Sequence, residues 1–488
     1  MNTLKLIDRK DDPYFTANKM RTNRALYKLK KILKKRKLSI EKYFVGITEQ
    51  SFDEWHEIGE RNSGDARNNL NDFYSITLPE GTRFKKIKKL LSQLNKNSIV
   101  ELAYAKDTQD ALPAGDTFYS PGKSFLSEPS SGGVNARAAW NLYGAPAKGQ
   151  NVNVIDLEHT WRKSHSDFPS NLIGFENSGA TQSELTLLLS RYATYSEYLG
   201  TVPFLDPVHG NGVIGIIAAK DNNIGITGIA PLSRVGLQPT RAISGAGQKL
   251  CQLLPFAANR AGSGGIVVAP LAKPFNGRDA PIDWDPACFS AIRSASDTGK
   301  IIVISAGNTS VDLDGTSFDM DENDDGIIDY KYYNRQENDS GAIVVAMSEV
   351  DNRKPHFAPF NGNNYGTNYG SRIDAHAPYG PITLALPPIA TTTFGGTSGA
   401  AAIVAGALAS IQGIAKSQGK TLNAIQMRSL IKNEGVPQTH DLNQAISRLP
   451  NILKFAQNGL PRLFPPPPPP NPQAAKIIPP ITLLLLDD

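Results

Sequence analysis

Four polar residues stand in settings that suit chemistry: Asp156 in VNVIDL, His209 in VHGNGVIG, Asn308 in VISAGNTS and Ser398 in GGTSGAAAIVAG. A serine hydroxyl becomes a nucleophile only when a base takes its proton, and imidazole is a common base. A carboxylate closing an apolar strand is poorly solvated and needs a partner, for which an imidazole is suited. A side-chain amide at a strand end can donate to a developing oxyanion. Ser398 opens an alanine-rich apolar helix, whose first-turn N–H groups are free to face negative charge. Each residue also has a plain structural reading. Ser398 suits a helix cap, Gly-Asn is common turn chemistry, and Asp156 and His209 suit structural hydrogen bonds. His159 and His165 read as surface or structural histidines. Taken as a set, the order Asp, His, Ser is one of three chain orders in which such triads occur.

Elements to position these groups are visible around them. VNVIDL (152–157), GIVVAPL (265–271), KIIVISAGN (300–308) and GAIVVAMS (341–348) are continuous apolar runs, as expected of strands covered on both faces. Helical stretches lie between several of them: VIGIIAAK, LCQLLPFAANRAG and DPACFSAIRSASDTG. The alternation predicts an α/β fold with a mostly parallel central sheet and helices on both faces. Ligands in such sheets bind beyond the carboxyl ends of the strands, where Asp156 and Asn308 fall. Ahead of this region, residues 72–104 read as strand, helix, strand, with Phe84, Ile87, Leu90, Leu91 and Leu94 at helical spacing. They predict a small α+β unit.

The four motifs resemble those of the subtilisin-like (subtilase) serine peptidases, in the same order and on the same elements, from about Val134 to Gln438. The resemblance implies an endopeptidase acting on polypeptides. Ser398 would be the nucleophile, His209 the general base and acid, and Asp156 the group that orients the imidazolium. Asn308 and the Ser398 backbone N–H would form the oxyanion hole. Val268, Ala269, Pro270, Leu271 and Ala272 would be the strand that pairs with extended substrate. No cofactor is implied for the chemistry. The α+β unit is similar to the family's prodomains, which assist folding and inhibit the enzyme. The alternative is a subtilisin-fold protein that binds peptides or partners without cutting them.

The chain also departs from the family pattern. Asp156-Leu157-Glu158 stands for the usual Asp-Ser-Gly or Asp-Thr-Gly, and Asn211 for a threonine after His-Gly. Ala402 stands for a proline, which predicts a more regular helix because alanine keeps the N–H that proline lacks. Pro270 stands for a serine and removes an N–H from the substrate strand.

On this reading the chain divides into a basic segment (1–45), a prodomain-like unit (46–106), a linker holding a maturation site (107–133), a peptidase domain (134–460) and a proline-rich tail (461–488). Its 488 residues, 40% hydrophobic and 20% charged, suffice for a large core. The formal charge is +5, yet residues 19–37 alone hold ten Lys or Arg and no acid. The remainder is net acidic, which argues against a nucleic-acid binder. Residues 17–40 read as a basic helix with a partial apolar stripe of Leu26, Leu29, Leu33 and Ile40, either a solvated or disordered charged segment or a contact for a membrane surface or acidic partner. Two cysteines, Cys251 and Cys288, exclude a disulfide-rich scaffold and leave one bridge or two thiols. The N-terminal residues lack the apolar stretch of a Sec signal, so the family's usual secretion is not supported by the sequence. No run of 18 apolar residues suggests a membrane span.

One further motif lies in DMDENDDGIIDY (319–330). Asp321, Asn323, Asp325 and Asp329 have the spacing of an EF-hand calcium loop, with Gly326 at the sharp turn, although Tyr332 replaces the closing glutamate. The stretch reads either as a structural calcium site or as a solvated acidic insertion.

Overall fold

The computed structural model describes residues 2–6 and most of 15–465, apart from 106–124, 174–206, 241–249, 319–337, 385–390 and scattered loop positions. The calcium-type loop, most of the linker and most of the proline-rich tail lie outside the described residues.

The first unit comprises β1 (Asn2–Leu6), α1 (Phe15–Arg36), β2 (Ile40–Lys42), α2 (Glu49–Ser63), β3 (Phe73–Ile76), α3 (Phe84–Asn95) and β4 (Val100–Ala105). Its four strands pair antiparallel in the order β2-β3-β1-β4. The strand, helix and strand expected over 72–104 are present as β3, α3 and β4. The basic segment is not separate, as the sequence boundary at residue 45 had it, because β1, α1 and β2 belong to this unit. The reason is amphipathic. Leu29 and Leu33 of α1 are buried against Ile76, Leu90 and Leu94, while Lys28, Lys30, Lys31 and Lys34 stay exposed. Leu26, expected in the apolar stripe, is on the exposed side, and Ala25 is buried in its stead.

The larger unit starts with α4 (Ala136–Tyr143) and β5 (Asn153–Glu158). There follow α5 (Pro207–Ala218), β6 (Arg234–Pro239), α6 (Leu250–Ala261) and β7 (Ile266–Ala269). The hairpin β8 (Ala272–Phe275) and β9 (Arg278–Pro281) precedes α7 (Pro286–Asp297), β10 (Ile301–Ser305) and β11 (Ile343–Ser348). A second hairpin, β12 (Phe357–Phe360) and β13 (Asn363–Gly366), leads to β14 (Ala375–Pro378), and a third is β15 (Ile382–Leu384) with β16 (Thr391–Thr393). The chain then enters α8 (Gly396–Ser417), α9 (Ala424–Glu434) and the short strands β17 (Val436–Pro437) and β18 (Arg448–Leu449). The central sheet has the order β17-β18-β14-β11-β10-β7-β5-β6 and is parallel except for the β17–β18 edge. The predicted α/β architecture is therefore observed.

Strand periodicity divides the interior into two cores. Val154, Val268, Val303 and Val345 face one core, which α5 and α8 fill with Val213, Ile217, Val404 and Leu408. Ile155, Val267, Ile302 and Val344 face the other, filled by Leu254 and Ala258 of α6 and by Ala291 and Ile292 of α7. Among the described residues, α8 is the one helix long and apolar enough to cross a membrane, and it is wholly buried in the first core. It runs unbroken through Ala402, as the loss of the proline predicts.

Cys251 of α6 and Cys288 of α7 form a disulfide. The first unit rests on this helix pair. Phe44, Phe52, Trp55 and Phe73 join the same core as Leu254 and Ala291. Gln252 donates to the Tyr43 carbonyl at 2.5 Å, and Asn62 to that of Asp297 at 2.8 Å. Lys300 lies over the Trp55 ring, 4.3 Å from its centroid.

Candidate active site

Side chains alternate along β5, so Asp156 and Glu158 share the face turned toward α5 and α8. Asp156 is hemmed in, opposite Leu237 of β6 and Val268 of β7. Glu158 pairs with Pro239 of β6 alone, past the last pairing with β7. It therefore stands at the carboxyl edge of the sheet. His209, in the first turn of α5, bonds through Nδ1 to Glu158 Oε2. Its ring meets Phe394 edge-on with centroids 5.0 Å apart, and a Cβ at Gly212 would stand 2.6 Å from that ring. Glycine at 212 therefore lets Phe394 press α5 into place. His209 Nε2 is buried and has no hydrogen-bond partner among the described residues.

Asp156 does not reach the imidazole. Its Oδ2 accepts from Trp161 Nε1 at 2.7 Å, and its Oδ1 is buried without a hydrogen bond among the described residues. Burial, and then the neighbouring Glu158 charge, push the Asp156 carboxyl well above the usual carboxylate range. Burial pushes Glu158 up as well, but the His209 charge and hydrogen bond, with His159, outweigh it and hold the carboxyl below its ordinary value. The second Glu158 oxygen accepts the His159 backbone N–H at 2.6 Å. The two carboxyls are thus shifted in opposite directions.

Ser398 is the third residue of α8, buried, in the turn whose N–H groups have no intrahelical acceptor. Gly396 takes φ +73°, and a Cβ there would lie 3.2 Å from Asn308 Oδ1. Only a residue without a side chain makes that entry at low cost. The Ser398 hydroxyl donates to the Pro270 carbonyl at 2.8 Å. Asn308 follows β10, and its Oδ1 accepts the Thr397 N–H at 2.9 Å and the Thr397 hydroxyl at 3.0 Å. With Oδ1 so held, Nδ2 is the half of the amide left to donate. Asn368 braces this loop. Its Nδ2 donates to the carbonyls of Ala306 and Asp279, each at 2.7 Å, and its Oδ1 accepts the Val311 N–H at 2.9 Å. Gly307, φ +99°, passes so close that a Cβ would stand 2.4 Å from the Asp279 carbonyl.

Residues 164–449, more than half of the chain, match the family model described as the subtilase family. The chain belongs to the subtilase family. Subtilisin Savinase from Lederbergia lenta is 27% identical over 229 residues, 46% of this chain and 69% of that protein. An alkaline protease from Shouchella clausii is 27% identical over 46% of this chain and 49% of its own, so the chain spans about half of that relative. The major intracellular serine protease of Bacillus subtilis strain 168 is 26% identical over 281 residues, 57% of this chain and 74% of that one. Fervidolysin from Fervidobacterium pennivorans, a keratinolytic enzyme related to subtilisin, shares the fold, with a TM-score of 0.51 at 15% identity. That alignment covers 93% of this chain and 60% of fervidolysin.

In this subtilase the family match begins after β5 and leaves out both Asp156 and Glu158. The structure sets His209 on Glu158 where the sequence reading set it on Asp156. The signal for Glu158 was its two-residue spacing from Asp156 on a strand. The substrate-strand reading also changes. Val268 and Ala269 lie inside β7, flanked by β5 and β10, so Val268 has both edges occupied. Pro270, Leu271 and Ala272 are buried, and Ala272 pairs with Pro281 of β9. His159 and His165 are both buried, and His159 Nδ1 bonds the Thr240 hydroxyl at 2.8 Å, so their role is structural and not that of surface residues. The sequence does not mark Thr397, which bonds Asn308, or Asn368, which bonds the loop around it, because these contacts join segments distant in sequence.

Proposed function

We propose that this subtilase is a serine endopeptidase that hydrolyses peptide bonds in polypeptides. The observation that carries the reading is the polarised histidine, with Nδ1 tied to a buried carboxylate and Nε2 left without a partner among the described residues. Such a ring has its tautomer fixed and its basic nitrogen available. Ser398 leaves the Pro270 carbonyl and gives its proton to Nε2 as Oγ bonds to the substrate carbonyl carbon. The oxyanion is met by Asn308 Nδ2 and the Ser398 backbone N–H. Collapse breaks the C–N bond, and the imidazolium protonates the departing amine. Water then repeats the sequence on the acyl-enzyme and frees Ser398. No cofactor takes part. The first unit acts as a prodomain and intramolecular inhibitor, released by a cut within 107–133. Its docking on α6 and α7 through Tyr43, Trp55 and Asn62 supports this role.

The test is labelling with a fluorophosphonate probe, read by intact mass, together with hydrolysis of a peptide substrate. Wild type that has lost its N-terminal unit is expected to label once and to cleave. Ser398→Ala is expected to do neither, with turnover reduced about a million-fold. A processed, folded wild type that neither labels nor cleaves would overturn the reading in favour of peptide binding without cleavage.

A further inference from the structure

We infer that Glu158, and not Asp156, is the carboxylate that positions His209, and that Asp156 is a neutral structural acid in the same buried pocket. The inference rests on the serine peptidase reading for its kinetic consequence, but not for the pairing itself. Three observations carry it. First, Glu158 spends both oxygens on the site, one on His209 Nδ1 and the other on the His159 backbone N–H. A carboxylate gripped on both oxygens holds an imidazole in one orientation. Second, Asp156 is engaged elsewhere. Among the described residues its one hydrogen bond is from the Trp161 indole, and its other oxygen is buried with none. An ionised carboxylate with a bare buried oxygen is costly, whereas a protonated one leaves only a hydroxyl unpaired. Third, the strand dictates the exchange. Asp156 and Glu158 are two residues apart on one face, about 6.6 Å along the strand. Glu158 lies past the last β7 pairing and is open to α5. The added methylene of glutamate lets the carboxylate reach a histidine that aspartate at 156 does not touch.

Two ionised carboxylates in one dry pocket would repel each other, so a division of labour follows from the spacing. His209 supplies positive charge to Glu158 as the proton arrives from Ser398. Trp161 supplies only a dipole to Asp156. Glu158 is a positioning residue, since it acts on the reaction through His209.

The full chain tests this with Glu158→Gln and Asp156→Asn, compared by steady-state kinetics on a peptide substrate and by proton NMR of the His209 Nδ1–H. Glu158→Gln is expected to lower kcat by about 10^4 with KM little changed. It should also erase the far-downfield Nδ1 proton. Asp156→Asn is expected to keep both the proton and a kcat close to wild type. The reverse pattern, with activity and the downfield proton lost in Asp156→Asn and kept in Glu158→Gln, overturns the inference. If Glu158→Gln does not fold, Asp156→Asn alone decides, because retention of the downfield proton supports Glu158 and its loss refutes it. Failure of the peptidase reading looks different: wild type would show the Nδ1 proton yet neither label nor cleave.

Discussion

Asn308 Oδ1 takes both the N–H and the hydroxyl of Thr397, the residue immediately before Ser398. The end of β10 and the start of α8 are therefore locked together at the site itself. Asn308→Asp keeps an oxygen facing Thr397 but replaces the free N–H donor with an acceptor. We expect kcat to fall at least 100- to 1,000-fold, roughly the range for losing one oxyanion donor. KM and melting temperature should change little. Asn308→Ala should lose a similar factor in kcat and also about 1–2 kcal/mol of stability, because it releases Thr397 as well. Equal stability for the two variants in urea melts would show that the Thr397 bonds hold nothing.

Asp156 couples stability to pH. Its folded pKa is raised by burial and by Glu158, so the folded chain retains a proton that the unfolded chain gives up above about pH 4. That mismatch lowers stability progressively as pH rises from there toward the folded value. Asp156→Asn removes the titration. It should raise the melting temperature at pH 7, with the gain shrinking toward pH 4. A gain that is the same at both pH values would place the effect elsewhere.

His376 lies fully buried on β14, and burial holds its pKa down to about 3. The unfolded imidazole takes up a proton near pH 6.5 while the folded one does not. Stability is thus intact above pH 6.5 and is lost as pH falls toward 3, by up to about 1.4 kcal/mol per unit. His376→Leu should flatten the acid limb of a pH-melting curve and leave the neutral region near its present level. An unchanged acid limb would exclude His376 as the sensor.

The Cys251–Cys288 bridge closes a loop of sequence separation 37 between the two helices that carry the first unit. Reduction, or a double Cys→Ala change, should cost roughly 2–4 kcal/mol through the freedom returned to the unfolded chain. Dithiothreitol should shift the wild-type melting curve and leave the double variant untouched. A wild-type curve indifferent to reductant would mean the bridge contributes no net stability.

Much of the larger unit was legible because its strands are apolar on both faces. β7, β10 and β11 fall within the runs read from the sequence, and β5 overruns its run by one residue, Glu158. The places of His209, Asn308 and Ser398 in the fold were legible because each opens a helix or closes a strand beside glycine, while their chemical roles belong to the proposed reading. The carboxylate was harder. Asp156 matches the familiar motif, and only the contact between α5 and the far end of β5 distinguishes it from Glu158. The substrate strand was misjudged at its start, since a run such as GIVVAPL does not mark where the sheet ends and the loop begins. The basic N-terminal stretch looked detached because a short stripe such as Leu29 and Leu33 does not say which sheet it packs against.

Nineteen consecutive residues of α8, from Thr397 to Ala415, are buried along with Gly396. A Cβ at Gly406 would stand 2.9 Å from Ile229, and one at Gly413 would stand 2.2 Å from the Pro146 carbonyl. The helix has almost no room to slide or tilt. Ser398 therefore sits on an element rooted in the first core, which the partial openings of surface loops do not reach. On the proposed reading, a nucleophile so held cannot be displaced by degrees, and its alignment is lost only with the core that holds the helix.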